Sequence, residues 1–221
     1  MNRKYTAWKK NRKLGDIYGG RTRLRLDDNI FKREHNLKKP EKNELLPILI
    51  EENPSKNFFF PLSADEALEA LKALPKRDYE GITHIWLKRI KLSDYRNKSL
   101  PLAQFIYGRG VRVIVLYPWT KDLIQNFGQK KPSQRAINEY MKYGAIFCKV
   151  GKNWVCKWQL KQLRKFYINV LIYHEVGHHI DWYYRHWSKA NLKQVEEYAD
   201  QYAIEKTATA THIFNQLENK K

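Results

Sequence analysis

His174 and His178 stand four residues apart around Glu175, Val176 and Gly177. In a helix this spacing puts the two imidazoles one turn apart on the same face, so both can direct a nitrogen at one metal ion. Glu175, rotated by about 100° from His174, is poorly placed as a third ligand. It is well placed to hold a water beside the metal and take its proton, the general-base arrangement of metal-assisted hydrolysis at an HExxH segment. Zinc lowers the pKa of such a water toward ~7. The expectation is therefore one zinc ion, with His174 and His178 as ligands and Glu175 as catalytic base. The setting agrees: Leu163, Phe166, Tyr167, Val170 and Leu171 precede the segment. Residues 166–173 are apolar on nearly every side apart from Asn169, as in a helix running through a domain centre. Gly177 costs that helix about 1 kcal/mol relative to alanine, and its missing side chain would let a neighbouring backbone or a substrate come close.

A catalytic zinc takes three protein ligands and keeps one open position. Tyr184 stands six residues after His178, which excludes the spacing of a metzincin. A helix is expected over residues 191–206, with Leu192, Val195, Ala199, Tyr202 and Ala203 as its inward stripe. Glu196 lies about 60° from the centre of that stripe and Glu197 about 160°. Glu196 is thus expected to enter the domain interior, where an unpaired carboxylate is costly and a metal would supply its partner. Glu197 belongs to the solvated face. Asp181, one turn beyond His178, is the alternative third ligand. Asp200, one turn after Glu196, is either an exposed helix charge or the acceptor that orients a ligand histidine. His179 faces away from the pair and reads as a structural or substrate-side residue. Tyr198, Tyr202 and His186 are equal candidates for stabilising an oxyanion.

Together, His174-Glu175-Val176-Gly177-His178 and Glu196-Glu197-Tyr198-Ala199-Asp200 resemble the HExxH…ExxA(D/N) pattern of the gluzincin branch of zincin metallopeptidases. The small ImmA/IrrE-like peptidases and minigluzincins match in size. The resemblance covers residues 145–205, while the first hundred residues match no family. It implies zinc on His174, His178 and Glu196, with Glu175 as base. It also implies an α+β, zincin-like fold in which a small mixed sheet packs on the active-site helix and a following glutamate helix, with an edge strand that holds the substrate peptide. The implied activity is that of a zinc metalloendopeptidase acting on a protein or peptide. ImmA/IrrE-like proteins act on repressors or in stress and mobile-element control, so a regulatory or nucleic-acid-associated substrate is the expectation by analogy.

The elements that must position these residues fall in residues 45–221. Short apolar runs at 46–50 and 58–60 precede a capping box, Ser63 with Glu66 three residues on, that opens a helix closed by Pro75. Strands are expected over 82–90, 104–107 and 111–117, the last two joined at Gly108-Arg109-Gly110. A helix follows over 134–143, then a hairpin over 145–148 and 154–158. If its turn is centred on Lys152, Cys148 and Cys156 face one another, although two reduced thiols are expected in a reducing compartment.

Residues 1–44 form a basic arm in which Lys9, Lys10, Arg12, Lys13, Arg21, Arg23 and Arg25 are interspersed with Tyr5, Trp8 and Tyr18. The 221-residue chain carries a formal net charge of +19, a field that attracts nucleic acid, anionic membrane or acidic proteins. The arm reads first as a solvated segment whose aromatics pack on the main domain, with contact to single-stranded nucleic acid through it as the alternative. With 43% hydrophobic residues the chain is globular material. It has no apolar run of the roughly 20 residues that cross a bilayer and no secretory leader, so a cytoplasmic location is expected. Two further readings follow from the charge: a nucleic-acid-binding protein whose zincin core is a scaffold with little or no peptidase activity, and a dormant precursor whose arm covers the cleft.

Overall fold

The computed structural model describes residues 35–96, 101–185 and 192–220. The basic clusters of the arm, the aromatics among them and His186 lie outside this set. In chain order the elements are β1 (Ile48–Glu51), β2 (Phe58–Phe59), α1 (Ala64–Lys72), α2 (Lys76–Tyr79), β3 (His84–Leu87), α3 (Leu92–Arg96), β4 (Ala103–Gly108), β5 (Val111–Leu116), β6 (Trp119–Thr120) and β7 (Ile124–Gly128). There follow α4 (Gln134–Lys142), β8 (Ile146–Val150), β9 (Asn153–Lys157) and α5 (Leu160–Phe166). A π-helical stretch (Tyr167–Ile172) then runs without a break into α6 (Tyr173–Arg185), and α7 (Leu192–Glu205) and α8 (Thr207–Asn219) complete the set.

The fold is mixed α+β. Its main sheet has the order β1-β3-β5-β4, with β1, β3 and β5 parallel and β4 antiparallel to β5. Alternation along β5 explains why its stretch Val113–Leu116 is apolar. Ile114 and Leu116 face the cluster shared with α1, α5 and α6, whereas Val113 and Val115 face a second cluster with Phe58, Ile90 and Ile106. Both faces are covered over these four residues, so only Arg112, near the start of the strand, is polar. Leu37 packs on the second cluster, which brings part of the segment before residue 45 onto the sheet. At the tip of β4–β5, Arg109 (φ 53°) and Gly110 (φ 76°) are both left-handed, the two-residue turn whose twist suits a hairpin.

The capping box forms in both directions: the Ser63 hydroxyl accepts from the Glu66 N–H and the Ser63 N–H donates to Glu66 Oε2. Glu66 has a second task that its local pattern does not announce. Arg164 of α5, only 3% exposed, donates to both Glu66 oxygens (2.9 and 3.1 Å), to Glu218 of α8 (2.8 Å) and to the Pro61 carbonyl (2.6 Å). Burial disfavours its charge, but the two carboxylates outweigh that and raise its pKa. One guanidinium thus ties α1, α5 and α8 behind the site. Arg164→Leu removes the cation shared by two half-buried carboxylates, a loss of about 3–5 kcal/mol and roughly 10 °C in Tm. Thermal unfolding checks this, and a shift below about 2 °C would show that the network contributes little.

The hairpin β8–β9 differs from the expectation. Its turn is the two-residue Gly151-Lys152, because Val150 pairs with Asn153. Cys148 therefore lies opposite Val155 and Cys156 opposite Phe147. A one-residue change of register moves a side chain to the other face, so the two cysteines project to opposite sides of the hairpin. Both are free thiols. Among the described residues no helix is long and apolar enough to cross a membrane.

Candidate metal centre

The helix that carries His174 is anchored before it reaches the site. Tyr167 donates to the Tyr117 carbonyl (2.7 Å) and Tyr173 to the Ala70 carbonyl (3.1 Å), both from fully buried rings. Asn169 of the π-helical stretch donates to the Tyr143 hydroxyl and to Thr207 Oγ1. Such stretches often accompany functional sites. Here it ends at Ile172, two residues before His174, so the phase of the histidines follows from a wide turn anchored through Tyr167 and Asn169.

His174 and His178 follow on one face of α6, their ring centroids 4.5 Å apart and nearly perpendicular. Val176 on the opposite side is fully buried. Helix α7 lies directly against this segment. A Cβ added to Gly177 would sit 2.7 Å from the Ala199 Cα and 3.1 Å from its methyl. The two backbones can meet this closely only because residue 177 has no side chain and residue 199 has the smallest one. The neighbouring backbone, rather than substrate, accounts for the glycine.

This contact brings Glu196 across the gap. Its Oε2 lies 3.5 Å from His174 Nε2 and its Oε1 3.7 Å from His178 Nε2. These separations exceed ordinary N–H···O distances. They approach the edge of a tetrahedron, about 3.3 Å for ligand atoms at about 2.0–2.1 Å from zinc. One ligand atom from each of His174, His178 and Glu196 falls within 4.8 Å of the others. Asp181, 5% exposed, is not part of this group. On the far side of the ring, His174 Nδ1 is 3.1 Å from Asp200 Oδ1. That contact fixes the tautomer with the proton on Nδ1 and leaves Nε2 toward Glu196, as carboxylates do behind metal-binding histidines.

The expected burial of Glu196 is not observed. Glu196 does not enter the interior: its side chain is 52% exposed. The flank of the α7 stripe opens onto the cleft, while the core takes Val195, Ala199, Tyr202 and Ala203. Glu197 is on the solvated face, 3.6 Å from Lys193 one turn away.

The electrostatics of the group favour a cation. Burial works against a charged His174, but Asp200, Glu196 and Glu175 overcome it and lift its pKa to about 10. Burial and the neighbouring charge of His174 lower the pKa of His178, keeping it a neutral donor. Contact with His174 holds the carboxyls of Glu196 and Asp200 below their usual range. The carboxylates and the neutral imidazole thus already enclose one positive charge. Two nitrogens and a carboxylate oxygen are the donor set of a catalytic zinc site, so the residues fit that metal.

Glu175 is 6% exposed. Burial pushes its pKa up to about 7, against the pull of His174 and of the Phe105 backbone N–H that faces it. Phe105 belongs to β4, the edge of the main sheet. The Tyr117 N–H bonds the Leu102 carbonyl, so by alternation the backbone groups of Ala103, Phe105 and Tyr107 point away from β5. No further strand pairs with this edge among the described residues.

His179 is structural: fully buried, with Nε2 3.0 Å from the Glu80 carbonyl and its ring edge-on to Phe105. Of the oxyanion candidates, Tyr202 is engaged elsewhere, donating to buried Asp78 (2.8 Å), and Tyr198 is half-buried on α7. Two neighbours have no local sequence signal. Arg135 of α4 pairs with Asp200 at 2.9 Å. Glu139 shares with Arg135, Lys142, Tyr143, His174 and Asp200 a cavity of about 300 Å³. No family model, curated protein or solved structure matches the chain.

Proposed function

We propose that the protein is a zinc-dependent metalloendopeptidase of the gluzincin type, with a zincin-like arrangement of sheet, active-site helix and glutamate helix. The observation that carries the reading is the triangle of His174 Nε2, His178 Nε2 and the Glu196 carboxylate with Glu175 beside it. Bound there, zinc supplies Lewis acidity to a water and to a carbonyl oxygen. Glu175 takes a proton from the attacking water and delivers it to the departing amide nitrogen. Its burial excludes competing solvent and keeps its basicity near neutrality. Asp200, braced by Arg135, holds the His174 ring with Nε2 toward the metal position.

A peptide substrate is supported by the free edge of β4. An extended chain can bond the outward groups of Ala103 and Tyr107 and the Phe105 carbonyl as an added strand, while the Phe105 N–H stays with Glu175. Because Glu175 faces the Phe105 amide, such a strand would run directly past the base.

Metal analysis tests the ligand set. The purified protein is expected to hold about one zinc per chain. Glu196→Ala should lose the metal, while Glu197→Ala, which breaks only the exposed pair with Lys193, should keep it. Asp181→Asn should also retain zinc. Zinc lost from Asp181→Asn and kept by Glu196→Ala would transfer the third-ligand role to Asp181.

A further inference from the structure

The carboxylates of this chain are unevenly distributed. Residues 123–174 contain ten lysines and arginines and a single carboxylate, Glu139. Arg164 and Arg135 are engaged by the carboxylates already described. Of the rest, a compact group gathers at the β8–β9 hairpin. Lys149 is the cross-strand partner of Trp154, and Lys152 occupies the turn. The Lys131 ammonium stands 5.5 Å from the centroid of the Trp154 ring, with Lys130 beside it in the chain. All four lysines are exposed and Trp154 is half-buried. No ion pair among the described residues involves any of the four.

Like charges gathered on one hairpin repel one another. The cluster lowers its energy when a polyanion replaces its counterions, and that release makes binding steeply salt-dependent. Charge alone would serve any polyanion. The ring at the centre narrows the choice, because an aromatic flanked by cations is the platform on which an unpaired base stacks while its phosphates lie on the lysines. A duplex keeps its base faces stacked internally, and a lipid headgroup or an acidic peptide has no base to place there.

We propose that the β8–β9 hairpin is a binding surface for single-stranded nucleic acid, with Lys130, Lys131, Lys149 and Lys152 on phosphates and a base on Trp154. This surface shares no residue with the metal centre, and the proposal does not depend on peptidase activity.

The test is fluorescence anisotropy of the full chain with a labelled oligothymidylate of roughly 20 nucleotides across a salt series. Replacing Lys149 and Lys152 together by glutamine should weaken binding. It should also reduce the slope of log affinity against log salt by about 1.4, for two lost contacts at about 0.7 each. Trp154→Ala should weaken binding about tenfold without changing that slope, and Trp154→Phe should recover most of the loss. Glu175→Gln should bind as wild type does, so failure of the peptidase reading leaves this result untouched. Unchanged affinity in both hairpin variants would overturn the proposal by placing the binding elsewhere in the chain. So would binding to vesicles containing phosphatidylserine, lost in the same variants, with no binding of the oligonucleotide.

Discussion

Glu175→Gln is expected to fold, retain its zinc and lose peptide hydrolysis by about 10²–10⁴-fold, the range for removal of a general base. Glutamine has nearly the same volume, so the buried site that leaves Glu175 6% exposed does not repack. Its amide oxygen can still face the Phe105 N–H, and none of the three metal-facing atoms belongs to residue 175. What disappears is the capacity to accept a proton. The fall should therefore be in kcat, with KM nearly unchanged, because the edge of β4 that would hold the peptide is untouched. A buried carboxylate whose pKa is raised by desolvation is also a local instability, and the neutral amide removes it. Thermal unfolding of the variant should match or exceed that of the wild type. Cleavage at the wild-type rate by zinc-loaded Glu175→Gln would assign the base to another residue.

The parts of this arrangement legible in the sequence are those set by local geometry. The four-residue spacing of His174 and His178, the Ser63–Glu66 box and the β4–β5 turn each depend on neighbours within one turn of chain. The choice of Glu196 over Glu197 also followed from phase alone. Its burial did not, because angular distance from an apolar stripe says which side a residue faces but not whether core or cleft lies there. The cysteine geometry failed by one residue of register, a quantity fixed by turn length and not by composition. The π-helical stretch left no trace for a different reason. Residues 167–172 are buried on nearly every side, so a change of helical period exposes no misplaced polar residue. Arg135, 65 residues from Asp200, is brought to it by the packing of α4 against the site, which no local pattern encodes.

The same separation of local from tertiary causes predicts the behaviour of Gly177. On helix propensity alone, Gly177→Ala should stabilise α6 by about 1 kcal/mol. The packing predicts the opposite. The new methyl would meet the Ala199 Cα at 2.7 Å, and this neighbour is backbone, which cannot rotate away. Helix α7 must then move outward, at a cost of about 1–3 kcal/mol for overpacking, enough to outweigh the propensity gain. Less the propensity gain, the net loss is up to about 2 kcal/mol, a fall in Tm of up to roughly 4–8 °C. Moving α7 also carries Glu196 and Asp200 away from His174, so zinc affinity should drop by about 10–100-fold, as it does when groups that orient ligands are disturbed. Gly177→Leu should lose the metal altogether. A second change separates backbone from side-chain contact. Ala199→Gly removes the methyl at 3.1 Å but leaves the Cα at 2.7 Å, so the double variant Gly177→Ala/Ala199→Gly should recover little zinc affinity. Full recovery would mean that the two helices are spaced by the methyl of Ala199 and can close further, and the glycine would then serve packing between side chains rather than the approach of two backbones that sets the metal-binding geometry.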